Sequence, residues 1–490
     1  MLPVSRKLRG PRVNFVSSHT AWKIKLSTAP FRGKLRVPMQ AINLGMMGGG
    51  TVGSGVFHAW QKNGDLLAAR LGVKINFRKI AVKAFDEPRP YPLPRALMTT
   101  DWREVVNDPE IQIVIELVGG CGIAKTMILA ALALGKTVVT ANKALLSAHG
   151  PELFAAATRS GANLYYEASV CGGIPIIKSL REGFAANQFP AIYGIVNGTC
   201  NYILSRMKAE GADFAAVLAE AQQLGYAETP PDLDIDGKDA QHKTGILASL
   251  AHGFWVQPEE IHTEGIRHVS KLDMEFAAKL GYTIKLLGIV KLVALPAAGA
   301  RRPRAGAKLP APYGTAIQVS VYPALIPTDH VLASVNQVFN AVLVRGDIVG
   351  DTLFYGRGAG KDATASAVLS DVADAALDLK LGTKVRVPPF VAYAGKGRVA
   401  PLDGVPSQYY VRFSIVDRPG VLGKIAAIFG AARIGIASVI QPEAHEGETV
   451  PLILMIHEAP NSAMRQALDK IAKLPSVKAS PVMFRVENLK

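Results

Sequence analysis

Five acidic side chains crowd into one short stretch of the chain, and a lysine follows them. Within twelve residues stand Glu228, Asp232, Asp234, Asp236 and Asp239, with Lys243 four residues further on. Pro230 and Pro231 exclude regular helix from the first half of the stretch, whereas the residues from Lys238 onward predict a helix. Asp239 and Lys243 would share one face of that helix. An acid beside an amine suits a small polar substrate with an ammonium group and a transferable proton; a solvated turn with a surface ion pair is the alternative.

A glycine-rich segment predicts a dinucleotide site. The apolar residues 40–47 predict a buried strand, and Gly48, Gly50 and Gly53 follow it in the pattern G-x-G-x-x-G before a helical run. The first glycine makes the tight turn, the second lets the backbone approach a pyrophosphate, and the third lets helix and strand pack closely. Thr51 and Val52 lie among them, where a helix N-terminus binds phosphate.

The end of the second predicted strand, residues 77–83, bears on which cofactor binds. An NAD site often carries an acid there, bonded to the ribose hydroxyls. Here Ala84 takes that place, Asp86 follows two residues later, and Lys83 and Arg89 flank it. The missing acid and the two cations favour NADP, whose 2′-phosphate requires positive charge, while Asp86 keeps NAD open.

Strands and helices alternate in the residues that follow. We predict a strand at 111–117, a helix at 126–134 and a strand at 137–140. This alternation predicts an α/β fold with a doubly wound parallel sheet, whose ligands bind beyond the carboxyl ends of the strands. Asn142 and Lys143 follow the last strand, so we expect them beside the nicotinamide; an ordinary surface lysine is the alternative for Lys143.

Three further glycine turns interrupt predicted strands and helices. Gly172 follows a strand beginning at Leu164, and Gly198 with Thr199 follows a strand at 191–196. These two turns suit a small-molecule pocket. The third, ending at Gly360 before a predicted helix, indicates a return to the first domain, either as a phosphate or ribose contact or as a helix-packing turn.

The composition excludes several classes of protein. Of the 490 residues 49% are apolar, and no apolar run is long enough to cross a membrane. The three cysteines, Cys121, Cys171 and Cys200, are too scattered for a disulfide framework or a cysteine-rich zinc site, which suits a reducing cytoplasm. We therefore expect a cytoplasmic protein with several domains and no membrane partner.

The net charge of +16 is concentrated in two segments. Residues 1–38 hold nine basic residues and no acid, and residues 301–308 add four more basic residues. Because the rest of the chain is close to neutral, the basic face of a nucleic-acid-binding domain is not predicted. The arm 1–38 is compatible with a transit peptide, a disordered tail or translated upstream sequence, and we favour the last because Met39 directly precedes the first strand.

The carboxyl-terminal part has a compact pattern of its own. Residues 396–408 predict a linker, and 409–490 predict strands and helices in the order β-α-β-β-α-β of a ferredoxin-like domain. Asp417 is the expected N-cap of its first helix. Since no catalytic constellation is visible there, we expect a regulatory or dimerising domain.

Seven motifs, in order, carry a resemblance to a known family. They lie at residues 48–55, 116–120, 138–145, 167–175, 197–199, 225–228 and 356–360. With them, the chain from Ile42 to about residue 395 resembles the homoserine dehydrogenases. Residues 409–488 resemble an ACT domain, whose turn signature is matched by Asp417, Arg418, Pro419, Gly420, Val421 and Leu422.

The resemblance implies a reaction and a catalytic set. The family interconverts L-homoserine and L-aspartate 4-semialdehyde with NAD(P), in threonine, methionine and isoleucine biosynthesis. Lys243 and Lys143 match its two catalytic lysines, with Asp239 beside them. Lys243 is expected to carry the proton of the reacting oxygen, for which a base at neutral pH needs a lowered pKa, and Lys143 to polarise that oxygen.

The resemblance also implies binding residues. Glu228, Asp234 and Asp239 match positions that hold the substrate and its ammonium group, and Gly198 and Thr199 match pocket positions. Glu167, with the carbonyls of Val170, Gly172 and Ile174, matches a site for a monovalent cation, typically Na⁺. The cofactor set is completed by the residues named above: Gly48, Gly50, Thr51, Val52, Gly53, Lys83, Arg89, Asn142, Lys143 and Gly360.

The implied organisation is a Rossmann-type nucleotide domain, an α+β substrate and dimerisation domain, and a ferredoxin-like ACT domain. We expect their bounds at 39–167, 168–345, 346–395 for the return to the nucleotide domain, 396–408 for the linker and 409–490. Threonine is the expected effector, bound at Asp417, Gly420, Val421 and Leu422, and a homodimer or homotetramer is the expected assembly.

The chain departs from the family pattern inside the acidic loop. Pro230 stands where the family usually has an acid, and we expect Asp232 either to compensate or to sit in a differently shaped loop. Two other functions stay open: a related dehydrogenase for another amino-acid aldehyde, and an amino-acid sensor that has lost turnover. The intact Lys143, Asp239 and Lys243 argue against the sensor.

Overall fold

The computed structural model describes residues 39–293, 316–383, 385–395, 397–442 and 447–489. The basic arm 1–38 and the basic residues 301–308 lie outside these ranges, and so do the predictions made for them. No helix within the described ranges is long and apolar enough to cross a membrane.

The first part of the chain alternates strands and helices, as predicted. The elements are Ala41–Met47 (β1), Thr51–Leu71 (α1), Lys74–Ala81 (β2), Met98–Thr99 (β3), Arg103–Val106 (α2), Ile113–Glu116 (β4), Gly122–Ala133 (α3), Thr137–Thr140 (β5), Lys143–Ser160 (α4) and Leu164–Tyr165 (β6). The strands form one parallel sheet in the order β3-β2-β1-β4-β5-β6. The order reverses between β1 and β4, and doubly wound sheets bind ligands at such a point.

This sheet is buried on both faces, which explains its nearly continuous apolar strands. Along β4, Ile113 and Ile115 join the core under α1, and Val114 joins the opposite core under α3. Glu116 is the last residue of β4 and therefore stands at the carboxyl edge of the sheet. The edge that binds ligands is therefore set by the direction of these strands.

The middle of the chain builds a second, mixed sheet with helices on it. Its elements are Ile176–Lys178 (α5), Ala191–Ile195 (β7), Gly198–Glu210 (α6), Phe214–Gln223 (α7), Asp232–Ile235 (α8), Lys238–His252 (α9), His262–Thr263 (β8), Lys271–Lys279 (α10), Tyr282–Val293 (β9), Ala316–Pro327 (β10), Phe339–Gly346 (β11) and Gly350–Arg357 (β12). Helix α9 lies tightly on this sheet: a Cβ on Gly288 of β9 would stand 2.1 Å from the Thr244 hydroxyl.

Helix Lys361–Lys380 (α11) then returns to the first sheet and covers it beside α1. Its Val368 and Val372 join the same core as Val56 and Phe57 of α1. Its end is tied down by the 2.9 Å hydrogen bond that Lys380 Nζ donates to the Leu71 carbonyl. The nucleotide-binding half is thus built from two separated pieces of sequence.

The last part of the chain has the ferredoxin-like order that the sequence predicts. Its elements are Arg398–Val399 (β13), Pro406–Val416 (β14), Val421–Ala431 (α12), Ile436–Ile440 (β15), Thr449–Pro460 (β16), Asn461–Ile471 (α13) and Val482–Val486 (β17). Strand β17 pairs with β10, so the carboxyl-terminal strands continue the middle sheet in the order β12-β11-β7-β9-β10-β17-β14-β16-β15.

Three features differ from the sequence expectations. The segment 396–408, expected to be a linker, contributes β13 and the start of β14, and Ala400, Leu402 and Val405 are buried. The turn at Gly198 opens a thirteen-residue helix, α6. The acidic loop contains the short helix α8 directly after Pro231, because a proline is tolerated where a helix begins and its missing N–H needs no partner.

Candidate active site

Asp239 is the centre of a charged cluster at the start of α9. Its Oδ2 accepts a 2.7 Å hydrogen bond from Lys243 Nζ, one turn further along the helix. Its Oδ1 lies 3.2 Å from Nζ of Lys143, the first residue of α4. The Lys243 side chain is 8% exposed and that of Lys143 is 40% exposed. One carboxylate therefore joins the end of β5 to the acidic loop, with a buried ammonium on one side and an accessible one on the other.

Asn197 holds the two inner acids together. Its Nδ2 donates hydrogen bonds to Asp234 Oδ1 at 2.8 Å and to Asp239 Oδ2 at 2.9 Å, while its Oδ1 accepts from the Cys200 N–H and so caps α6. The carbonyl of the preceding residue, Val196, accepts a 2.7 Å bond from Lys243 Nζ. From the sequence, Asn197 has a place in a motif but no individual role; an asparagine directly before a helix is the signal for a capping residue.

The ionisation of this cluster is set by its own charges. Burial would raise the pKa of Asp239, but the ammonium groups of Lys243 and Lys143 more than offset it and hold that pKa well below its usual range. Burial would lower the pKa of Lys243, but the Asp239 carboxylate holds it above its usual value. The lowered pKa that a lysine base needs at neutral pH is thus absent from the resting site, because the ion pair outweighs burial.

The outer acids of the loop have different surroundings. Asp232 and Asp236 both pair with the guanidinium of Arg267. Burial raises the pKa of Asp234, with the Asn197 amide offsetting part of the effect. Glu228 is exposed. Asp234 and Glu228 are consequently the two acids of the loop without an ionic partner among the described residues.

The Gly198 and Thr199 positions shape the wall beside this cluster. A Cβ on Gly198 would lie 2.7 Å from the Val338 carbonyl, so only glycine fits there. The Thr199 hydroxyl donates a 2.6 Å hydrogen bond to the Tyr226 carbonyl. The first turn of α6 is thereby fastened to the segment that leads into the acidic loop.

The glycine turn between β1 and α1 has the shape of a pyrophosphate cradle. Gly48 has φ +105°, and a Cβ there would meet the Leu117 backbone at 2.6 Å. A Cβ on Gly53 would stand 1.9 Å from the Gly48 carbonyl, whereas one on Gly50 would meet nothing within 4 Å. The first and third glycines permit close packing, and the second leaves open space before the N-terminus of α1, where Thr51 and Val52 stand. The residues therefore fit a dinucleotide.

Glu116 fixes the loops at the carboxyl edge of the sheet. It is fully buried, and its two oxygens accept hydrogen bonds from Val118 and Gly119 N–H and from the Thr140 hydroxyl. Asn142 continues the network by donating to the Gly120 carbonyl at 2.7 Å and by capping α4. Lys143 is therefore presented from a braced helix N-terminus. The buried Glu116 gave no sign of this role beyond its place at a strand end.

The three remaining cofactor candidates lie in different settings. Lys83 is exposed after β2. Arg89 is half-buried and donates to the carbonyls of Phe85 and Ala84, which makes it a brace of its own loop. Gly360, with φ +106° and open space around a Cβ, precedes α11. The exposed Lys83 ammonium is accessible to a phosphate, whereas two nitrogens of the Arg89 guanidinium already bind backbone carbonyls of its own loop.

The Glu167 segment fits a monovalent cation. Both carboxylate oxygens of Glu167 accept backbone N–H groups, from Ile177 and Lys178, and burial raises its pKa to about 7. Cys171 and Gly172 have positive φ, which turns the chain sharply. Val170 and Gly172 are buried, and neither carbonyl accepts a hydrogen bond from the described part of the chain. The Ile174 carbonyl accepts one from Ile176. Unpaired carbonyls beside a buried carboxyl are ligands for a hard cation.

The regulatory candidates line a cavity of about 470 Å³ at the start of α12. The lining includes Asp417, Gly420, Val421, Leu422 and Gln441. Asp417 accepts a 2.9 Å hydrogen bond from Gln441 and is not the N-cap; that position belongs to Gly420, whose φ of +85° only glycine adopts without strain. The expected capping role of Asp417 is therefore wrong, since the turn places its side chain against β15.

Comparison with known proteins assigns each part of the chain. The homoserine dehydrogenase family matches residues 175–373, the NAD-binding domain of homoserine dehydrogenase matches 48–167, and the ACT domain matches 409–475.

Individual proteins agree with these domain matches. A homoserine dehydrogenase of Pseudomonas aeruginosa is 40% identical over 92% of this chain and 100% of its own length. The crystal structure of one from Thiobacillus denitrificans covers 92% of this chain and 99% of its own, with 40% identity and a TM-score of 0.83. A hyperthermophilic archaeal homoserine dehydrogenase in complex with NADPH covers 69% of this chain and 98% of its own, with 26% identity and a TM-score of 0.54.

Proposed function

Because the chain belongs to the homoserine dehydrogenase family, we propose that the Asp239 cluster is the site where it interconverts L-homoserine and L-aspartate 4-semialdehyde. The observation that carries this is the contact of one buried carboxylate with two lysines, Lys243 from the acidic loop's helix and Lys143 from the cofactor edge of the sheet. The cluster thus connects the two parts that a hydride transfer must bring together.

A nicotinamide cofactor, when bound, would supply or accept the hydride, and the side chains of this chain would transfer the proton. In the oxidation, Lys243 takes the proton of the homoserine hydroxyl as the carbon loses its hydride; in the reduction, its ammonium returns a proton to the aldehyde oxygen. Lys143, on the accessible side of Asp239, polarises the same oxygen. Asp239 orients both lysines and stabilises their positive charge.

The charge state of the resting cluster favours one direction. The raised pKa of Lys243 keeps it as an ammonium at neutral pH, ready to donate to an aldehyde oxygen. The oxidation requires the neutral amine, so it depends on a deprotonation that the ion pair opposes. We infer that the site is poised for reduction of the semialdehyde.

The substrate ammonium is held by Asp234, with Glu228 at the entrance. Asp232 and Asp236 share the ion pair with Arg267, and Asp239 is paired with the two lysines. Asp234 keeps an unpaired carboxylate that Asn197 orients by a 2.8 Å hydrogen bond. A fixed carboxylate beside the reacting groups is the arrangement that an amino-acid substrate needs.

The cofactor is NADP in preference to NAD. Ala84 in place of the ribose-binding acid and the exposed cation Lys83 support this preference. Na⁺ is the proposed ion at Glu167, Val170, Gly172 and Ile174, where it would fix the turn at Cys171. There the ion would serve structure and orientation rather than carry the reacting oxygen.

Threonine is the proposed inhibitor, bound in the cavity at Asp417, Gly420, Val421 and Leu422. The N-terminus of α12 would receive its carboxylate, and the Asp417 carboxylate its ammonium. The proposed pathway is threonine, methionine and isoleucine biosynthesis, in which threonine would act as a feedback inhibitor. A cytoplasmic homodimer or homotetramer completes the proposal.

Steady-state kinetics with purified protein tests this assignment. Homoserine should be turned over with NADP more efficiently than with NAD, and threonine should lower the rate. Lys243→Ala should lower kcat by about 10²–10⁴-fold, the usual loss when an acid–base group is removed, and leave cofactor affinity intact. Lys238→Ala, an exposed lysine on the same helix, is the matched control. Full activity in Lys243→Ala would contradict the role of Lys243.

A further inference from the structure

Arg267 lies outside the cluster but contacts the acidic loop twice. Its Nε and Nη2 donate to the two oxygens of Asp236, and Nη2 also donates to Asp232. These two carboxylates bracket the short helix α8, on which Asp234 points inward to Asn197. The guanidinium therefore closes the outer side of the helix whose inner side carries the proposed ammonium ligand.

The backbone next to Arg267 supports the same contact. Ile266 N–H donates a 2.8 Å hydrogen bond to the Ile235 carbonyl at the end of α8. A Cβ on Gly265 would stand 2.2 Å from that carbonyl, so the two segments approach as closely as glycine allows. Ile235 and Ile266 are both fully buried. The backbone beside Arg267 is thus fixed against the end of α8 independently of the guanidinium.

The segment that carries Arg267 is held on its other side by two ion pairs, each with one buried partner. Glu264 accepts two 3.0 Å hydrogen bonds from Arg485 of β17, whose side chain is 1% exposed. Asp273 accepts bonds of 2.7 and 3.1 Å from Arg412 of β14. Because each pair is doubly bonded and has one buried partner, the segment from which Arg267 reaches the loop is anchored at both ends.

We propose that Arg267 is a positioning residue for the reaction: by pairing with Asp232 and Asp236 it holds α8 so that Asp234 meets the substrate ammonium. The pairing has a second effect on charge. The guanidinium occupies Asp232 and Asp236 in ion pairs, so the substrate cation is directed to Asp234, which has no ionic partner among the described residues. This inference rests on the proposed role of Asp234 in binding that cation.

The alternative is that these ion pairs of Arg267 contribute neither to stability nor to substrate binding. Its side chain is 48% exposed, and exposed ion pairs generally stabilise proteins little. Arg78, on β2 of the first sheet, offers a matched comparison. Its side chain is 42% exposed, and it too pairs with two carboxylates, those of Asp108 and Glu110. If Arg267 has a specific role, substrate binding should therefore change in Arg267→Ala and stay unchanged in Arg78→Ala.

The experiment measures KM for homoserine, kcat, cofactor Kd and Tm. Arg267→Ala should raise KM about tenfold, as for loss of one charged hydrogen bond, with cofactor Kd and Tm at the wild-type values. Arg267→Lys should recover part of the loss, and Arg78→Ala should leave KM unchanged. A wild-type KM in Arg267→Ala, or an equal rise in Arg78→Ala, would overturn the proposal. Asp234→Asn separates the two claims: a wild-type KM there contradicts the role of Asp234 itself.

Discussion

A single carboxylate, that of Asp239, determines the charge of the lysine proposed to carry the proton. It lies 2.7 Å from Lys243 and 3.2 Å from Lys143, and its negative charge outweighs the burial of Lys243. From the sequence, a lysine base is expected to need a lowered pKa, whereas the pKa of Lys243 is raised by this pair. This follows from the balance of two opposing effects, which a sequence does not display.

The pH dependence of homoserine oxidation should reveal that balance. Since the pKa of Lys243 is raised, the neutral amine becomes populated only as pH rises, so kcat should increase toward alkaline pH. Asp239→Asn removes the charge that raises the pKa and leaves the burial that lowers it. The rise of kcat should then occur at lower pH, by about one unit or more, although the maximal rate falls.

The check is a pH profile of kcat for both proteins. Asp232→Asn, which changes an acid of the same loop outside the cluster, should keep the wild-type profile in shape. An unmoved profile in Asp239→Asn would mean that another group is the titrating base.

At the scale of elements, the turn between β1 and α1 shows how much local structure a glycine pattern predicts. The sequence predicts three distinct purposes for Gly48, Gly50 and Gly53, and the structure has close packing at the first and third and open space at the second. Such purposes are local, because each depends on backbone conformation within one turn, and local features can be predicted from sequence.

Two alanine substitutions should separate packing from binding. A Cβ on Gly53 would stand 1.9 Å from the Gly48 carbonyl, so Gly53→Ala should cost about 1–3 kcal/mol of folding free energy and lower Tm as well as cofactor affinity. Gly50→Ala meets open space, so it should lower cofactor affinity with Tm unchanged. Gly430→Ala, on an open face of α12, should alter neither adversely. Calorimetry and cofactor titration measure both quantities, and a stable Gly53→Ala that binds the cofactor normally would contradict the packing argument.

Other elements escaped prediction because their causes are distant in sequence. The helix α6 follows a turn-like run of Asn197, Gly198 and Thr199, and its capping by Asn197 was the one local clue. Arg267 stands 31 residues from Asp236 along the chain, and nothing in its neighbourhood indicates the contact. The second sheet extends into the carboxyl-terminal domain through β10 and β17, a pairing between strands of different domains. Strand pairing of this kind depends on tertiary packing rather than on local pattern.

At the scale of the whole molecule, the carboxyl-terminal domain is part of the central sheet. Ala324 and Leu325 of β10 pair with Arg485 and Val486 of β17, and the Tyr322 hydroxyl donates a 2.7 Å hydrogen bond to Glu487. Residues 397–408, which belong to the segment expected to separate the domains, are packed between them. The carboxyl-terminal domain is therefore joined to the substrate half by paired strands.

Deleting residues 404–490 should consequently destabilise the protein rather than simply remove its regulation. The deletion removes the pairing of β17 with Ala324 and Leu325 at the end of β10 and exposes the apolar surface that β14 and β17 cover. We expect the truncated chain to be aggregated or to have a strongly lowered Tm. Asp417→Asn, confined to the effector cavity, should instead keep Tm and weaken threonine inhibition. A truncated enzyme with wild-type Tm would show that the sheet does not need its last strands.

The return of α11 to the first sheet has a consequence for biosynthesis. The hydrogen bond from Lys380 to the Leu71 carbonyl can form only after Lys380, which follows Leu71 by 309 residues, has been synthesised. At about 5–20 residues per second, roughly 15–60 s pass on the ribosome before the apolar sheet face beside α1 can be covered. During that interval the nascent nucleotide-binding half exposes a core surface. A nascent chain with this topology is a natural client for chaperones, and its amino-terminal half alone is a poor candidate for expression as an isolated domain.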